Sequence, residues 1–217
     1  MAGALPKIGW GLMTLLSVGV ACYALYHVAT NFEHVPGAVL KNAFPSGLGI
    51  RAHILFAGIA LLTGPWQFSG GLRRTRPKLH RWTGRIYVLA CTLGGLAGGA
   101  TALFTTAGPI AGWGFFVLAL LWVPFTLLAW QAAMRQDFDS HKRWMIRSFA
   151  LTFGAATLRI YLPIGLAIMS AQGARDPFTL PYTIIAWAAW LPNLLVVEAW
   201  LRSRPSRTQR KAVTAAA

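Results

Sequence analysis

Six apolar stretches, each near the roughly 20 residues a helix needs to cross a hydrocarbon core, constrain this chain more than any other feature. They run over about 8–29, 51–70, 82–106, 110–134, 145–170 and 181–201. Of the 217 residues, 56% are hydrophobic and only 12% charged, and the mean hydropathy is +0.52. A soluble domain carries about twice that charged share and could not cover so much apolar surface. A bilayer removes the requirement, because lipid solvates the outside of the bundle. The expected fold is all-α: a polytopic transmembrane helix bundle of about six spans, one domain over 1–217, with a basic tail at 202–217. The first stretch is too long for a signal-peptide core and lacks a small-residue cleavage site, so it reads as a retained span.

The connections alternate in charge. Segment 71–85 carries Arg73, Arg74, Arg76, Lys78, Arg81 and Arg85. Segment 135–147 carries Arg135, Lys142, Arg143 and Arg147, and the tail carries Arg202, Arg204, Arg207, Arg210 and Lys211. With Lys7 these make 16 of the 20 Lys and Arg residues. The opposite connections hold Lys41, Arg51 and Arg175, and Arg159 lies inside the fifth stretch. By the positive-inside rule the basic side, with the N-terminus and the C-terminus, is cytoplasmic. The net charge of +15 is then a topology signal, and no nucleic acid is expected as a partner.

The other side holds a connection at 30–50, with Pro36 and Pro45 and room for a short interfacial helix, a turn at 107–112 and a segment at 171–180. Trp10, Trp66, Trp82, Trp113, Trp130, Trp144, Tyr182 and Trp200 fall near span ends, as an interfacial belt does. Gly94, Gly95, Gly98 and Gly99 make two overlapping GxxxG frames, the pattern of a helix that others approach closely. Pro65, Pro124, Pro163 and Pro192 fall inside four spans, where each is expected to kink its helix. Cys22 and Cys91 lack metal-type spacing and read as small packing residues.

Polar groups at membrane depth are costly and are the residues to interrogate. His80 opens the third span and His141 the fifth, both in a first turn on the basic side, with Glu198 near the same depth and Asp139 or Ser140 as the N-cap of the fifth span. Three readings fit these histidines: interfacial hydrogen bonding, axial ligation of a b-type haem, or an anionic headgroup site built on Arg81, Arg85 and Arg147. On the other side stand His27, His53 and Arg159. Arg159 and Glu198 lie near opposite faces, so Arg159 needs helix carbonyls, Asn193 or a bound anion. Zinc is not suggested, since neither HExxH nor a Cys/His cluster is present. Nor is a nucleophile elbow, a P-loop or a dinucleotide fingerprint.

The run Arg51-Ala-His53, then Gly64-Pro65-Trp66-Gln67-Phe68, then Leu79-His80-Arg81-Trp-Thr-Gly84-Arg85-Ile-Tyr87, resembles a family of bacterial membrane proteins, domain of unknown function 2306. So does His141-Lys-Arg-Trp144-Met145-Ile-Arg147-Ser148, followed by Leu158-Arg159. The resemblance covers about 51–165 and implies a multi-pass protein of the bacterial inner membrane, without an activity to carry over. A looser similarity joins the chain to cytochrome b561-like haem proteins, in which histidines on alternate helices clamp haem. His80 and His141 match that pattern. His53 would need a partner on span four, which has no histidine, and only His27 could substitute. The expected function is a membrane redox protein with one haem b between His80 and His141. Arg85 and Arg147 would contact propionates or an anionic or quinone-like partner, and His53, His27 and Arg159 form an outer site. No metal beyond the haem iron is expected. The alternative is a non-enzymatic protein that binds anionic lipid or assists assembly of a partner complex. A transporter would suit the prolines, but the halves show no inverted repeat.

Overall fold

The computed structural model describes residues 5–34, 47–173 and 178–204, with the backbone alone at 5–7. All regular structure among them is helical. In chain order come α1 (Leu5–Ala29), α2 (Leu48–Thr63), a 3-10 turn (Pro65–Phe68) and α3 (Gly70–Thr75). Then follow α4 (Pro77–Ala102), α5 (Pro109–Met134), α6 (Phe138–Ala171), α7 (Thr179–Ala188) and α8 (Leu191–Arg202). Pro36, Lys41, Pro45 and the expected interfacial helix around them, Arg175, the tail residues Arg207, Arg210 and Lys211, and the Lys7 side chain lie outside the described residues.

Five helical stretches are long and apolar enough to cross a membrane: Ile8–Ala29, Leu48–Phe68, Pro109–Met134, Phe138–Ala171 and Thr179–Arg202. α4 is as long as α5, at 26 residues each, but it begins in the basic block and its second half is glycine-rich. Its place in the bundle makes it the sixth traverse. Trp10, early in α1, donates to the Pro65 carbonyl at the end of α2 (3.2 Å). Gln67 there donates to Thr83 at the start of α4 (2.9 Å), and a Cβ on Gly112, early in α5, would meet the Ala102 carbonyl at the end of α4. α1, α2, α4 and α5 therefore run antiparallel in succession.

Two of the four prolines do not kink a helix. Pro65 opens the 3-10 turn and Pro192 stands at the start of α8. Proline has no N–H to lose at a helix's first position and its φ already suits one, so the chain restarts there and the sixth span consists of two pieces. Pro124 and Pro163 do lie inside α5 and α6.

The packing is that of a membrane bundle. Large apolar side chains point outward, among them Leu15 (69% exposed), Leu96 (60%) and Val196 (69%), while the buried set is rich in alanine. Lipid is as apolar as leucine, so close backbone approach, which small residues permit, holds such helices together. The two glycine frames of α4 serve different neighbours. A Cβ on Gly94 would lie 3.2 Å from Phe56 of α2, and one on Gly98 2.5 Å from the His53 ring. A Cβ on Gly95 would collide with Val123 of α5, and one on Gly99 would lie 3.1 Å from Ala119.

At the next depth toward the basic end a polar layer ties α4, α5 and α6. The Tyr87 hydroxyl lies 2.9 Å from both Ser148 Oγ and Thr152 Oγ1. Thr126 Oγ1 lies 2.6 Å from Ser148 Oγ, and Trp122 Nε1 donates to Thr152 Oγ1 at 2.8 Å. Thr152 gives its own proton to the Ser148 carbonyl. That choice orders the rest: Tyr87 donates to Thr152, Ser148 to Tyr87, and Thr126 shares its proton between Ser148 and the Trp122 carbonyl. Tyr87, Cys91, Thr126 and Ser148 are fully buried (0% exposed), so the layer excludes lipid.

Gly95→Val forces a branched side chain into Val123 and is expected to cost about 1–3 kcal/mol, the usual penalty of overpacking. Tyr87→Phe removes two interhelical hydrogen bonds, each about 0.6 kcal/mol in membrane bundles. Both should lower the unfolding midpoint in mild detergent, the glycine variant more. Reporter fusions test the traverse count: a fusion after Gly108 should lie on the opposite side of the membrane from fusions after Thr75 and Arg202.

Candidate functional site

At the basic end the chain builds two helix starts side by side. Ser69 caps α3 by accepting from Leu72 N–H (3.2 Å), and Pro77 opens α4. α6 is capped by Asp137, whose side chain accepts from Ser140 N–H at 3.1 Å, not by Asp139 or Ser140. Gln136, at φ 59°, turns the chain just before it, which sets the helix start two residues earlier than the side-chain pattern suggests. Its hydrogen bonds with Ser140 hold the Asp137 carboxyl below the usual carboxylate range.

These starts carry His80 and His141. His141 Nδ1 lies 2.8 Å from the Ala129 carbonyl of α5. A carbonyl can only accept, so Nδ1 bears the hydrogen and the neutral ring keeps its lone pair on Nε2. His80 Nδ1 is buried without a hydrogen-bond partner among the described residues. His80 stands before the apolar part of α4, and burial, then the charges of Arg73, His141 and Arg81, push its imidazole below its ordinary pKa. The two histidines thus sense each other. They belong to helices that meet mainly through side chains, with α5 packed against both.

The arginines expected beside them have other engagements. Arg147 gives Nε and Nη2 to the two oxygens of Glu198 on α8, at 2.5 and 3.0 Å, and lies over the Trp144 ring at 4.7 Å. Arg143 caps the end of α8 through the carbonyls of Leu201 and Arg204, where a cation also suits the helix dipole. Arg85 lies over Trp82 at 5.1 Å.

Toward the opposite face, His53 Nδ1 donates to the Gly94 carbonyl at 2.8 Å, in the space that the missing Gly98 side chain leaves. His27 is buried, and its Nδ1 has no hydrogen-bond partner among the described residues. The Tyr23 ring meets His27 edge-on at 4.5 Å and faces the Arg159 guanidinium at 5.9 Å. Arg159 Nη1 donates to the Ala155 carbonyl (2.9 Å), one of the helix carbonyls expected as its partner. Asn193 is not its partner and instead donates to Thr157 Oγ1 at 3.0 Å. Tyr182 and His53 stand close enough to feel its charge.

The Tyr87 layer was not singled out from sequence. Its signal is there: Tyr87 and Cys91, Trp122 and Thr126, and Ser148 and Thr152 are each four residues apart on one helix face. No group of three or more His, Cys, Asp or Glu that could hold a metal ion occurs among the described residues.

A family model described as "Predicted membrane protein (DUF2306)" matches residues 50–201. No curated protein and no solved structure matches the chain. The match takes in every element from α2 to α8, including both histidine-bearing helix starts and the Tyr87 layer, and the chain therefore belongs to the DUF2306 family of predicted membrane proteins.

Proposed function

We propose that the chain is a redox protein of the bacterial cytoplasmic membrane, holding one b-type haem near its basic, cytoplasmic face with His80 and His141 as axial ligands. The observation that carries this reading is the state of the two rings. They sense each other from helices separated by side chains. His141 is fixed by the Ala129 carbonyl in the tautomer that presents Nε2, and His80 has a buried nitrogen that nothing among the described residues satisfies. A second bond of this kind orients a ligand ring and raises the basicity of its free nitrogen. Ligation needs the neutral imidazole. Because the His80 pKa is lowered, the ring sheds its proton at lower pH than a free histidine and is ready at neutrality.

Haem would supply a one-electron carrier. The chain's own part is to orient the imidazoles and to surround them with positive charge from Arg73, Arg81 and Arg85, which suits propionates and an anionic or quinone-like electron partner. Arg147 braces α6 against α8 through Glu198 and acts on this site by position, not as a free anion contact. A lipid-binding or assembly role remains the alternative. Its support is the exposed pairing of Arg85 with Trp82 at a membrane boundary, a combination that also suits anionic headgroups.

The deciding measurement is the absorption spectrum of detergent-purified protein from a haem-replete host, oxidised and dithionite-reduced, with pyridine haemochrome quantification. The expected result is a Soret band, sharp reduced α and β bands, and near one haem per chain. His80→Ala and His141→Ala should each abolish it while the protein still inserts. A colourless, folded protein sinks the haem reading. Loss of anionic lipid in Arg81→Gln/Arg85→Gln, with both histidines dispensable, would favour the alternative.

A further inference from the structure

We infer that Arg159 is the anchor of a second site, on the face opposite the histidine pair, for the anionic oxyacid head of an amphiphile: a phosphate or carboxylate whose chain lies in the bilayer. α6 carries two arginines at membrane depth, and their settings differ. Arg147 offers the edge made by Nε and Nη2 to a carboxylate and receives Glu198 in two hydrogen bonds. Arg159 presents the same edge with Nε buried and no acceptor on it among the described residues. Its Nη1 is turned back to Ala155 of its own helix, and its face lies over Tyr23.

The described groups that share its surroundings are two phenols and an imidazole. None bears negative charge at neutral pH. A guanidinium in a low-dielectric setting without a counter-ion is costly, and the group that offsets this cost through that fork is a planar or tetrahedral oxyanion. Depth fits a lipid head. Tyr23, His53 and Tyr182 stand three to six residues inside their helix ends, about 5–9 Å below them, where headgroup meets acyl chain. Ile160, next to Arg159 on α6, is exposed, so lipid reaches the helix at the level of the guanidinium. This site is independent of the haem reading.

The test uses the full chain. Native mass spectrometry of protein extracted in mild detergent should find one anionic lipid per chain more in wild type than in Arg159→Gln. Arg159→Lys, with the charge but not the fork, should fall between them. Transfer from phosphatidylcholine to phosphatidylglycerol nanodiscs should raise the Tm of wild type more than that of Arg159→Gln. Inorganic phosphate and oleate, added separately in detergent, distinguish the sources: an Arg159-dependent rise with phosphate alone means a free oxyanion suffices, and one with oleate or phosphatidylglycerol alone means the chain is required. Equal lipid retention and equal responses in wild type and variant overturn the site. Should Arg159→Gln not fold, wild type against Arg159→Lys decides by the same readouts, and Arg81→Gln controls for lipid held at the basic face.

Discussion

Close approach along α4 is the constraint on which the rest of the bundle depends. Gly94 and Gly98 admit α2 on one side, and Gly95 and Gly99 admit α5 on the other. One helix can take two neighbours this tightly only if both of its contact faces lack side chains over the same two turns. The arrangement brings α2 near enough for His53 to reach a carbonyl of α4. It also places α5 where Trp122 and Thr126 can serve as the middle of a three-helix polar layer, and where Ala129 can hold the His141 ring. A bulky residue anywhere in the seam would move all three polar settings together.

Polar groups in this bundle are matched locally where a carboxylate or a free carbonyl is near. Arg147 has Glu198, Arg143 has the open end of α8, and the hydroxyls of the Tyr87 layer satisfy one another. Glu198 is one of only five acidic residues in the chain, and it serves the basic end, which already has an excess of cations. The opposite end is left with Arg159 among aromatic and imidazole groups. The carboxylate that braces helices thus stands at the basic end, and on the other side Arg159 and Arg51, the latter over the Phe32 ring, each keep a buried Nε without an acceptor among the described residues.

The all-helical, multi-span architecture and the packing role of α4 were legible, because apolar length and glycine spacing are properties of consecutive residues. The separation of Arg159 from Glu198 was legible too, since rise per residue fixes depth. What was not legible depends on rotation and on neighbours. Pro65 and Pro192 read as kinks because nothing local tells a proline inside a helix from one that opens the next. Arg147 read as an anion contact because its pairing with Glu198 spans 51 residues of sequence. The Tyr87 layer escaped notice because each of its members is an ordinary residue for a membrane helix. Only their coincidence at one depth is distinctive.

That coincidence extends further. His80, Tyr87 and Gly94 recur on α4 at seven-residue intervals, and His141, Ser148 and Ala155 do so on α6. Seven residues fall only about 20° short of two full turns, so each set keeps one stripe of its helix. The stripes mark three depths: the two histidines, the hydroxyl cluster through which α4 and α6 meet, and the level where the Gly94 carbonyl holds His53 and the Ala155 carbonyl holds Arg159. Successive layers are about 10.5 Å apart and the outer two about 21 Å, within a hydrocarbon core of roughly 30 Å. The middle layer is transverse. Its donors close on the Ser148 carbonyl and point toward neither end, so it sets the spacing and register of α4 and α6 without forming a hydroxyl chain across the membrane. The two end layers are therefore joined mechanically, by the rigid bodies of two helices, and differ in chemistry: two imidazoles within a basic field at one end, and the Arg159 guanidinium near phenols and an imidazole at the other.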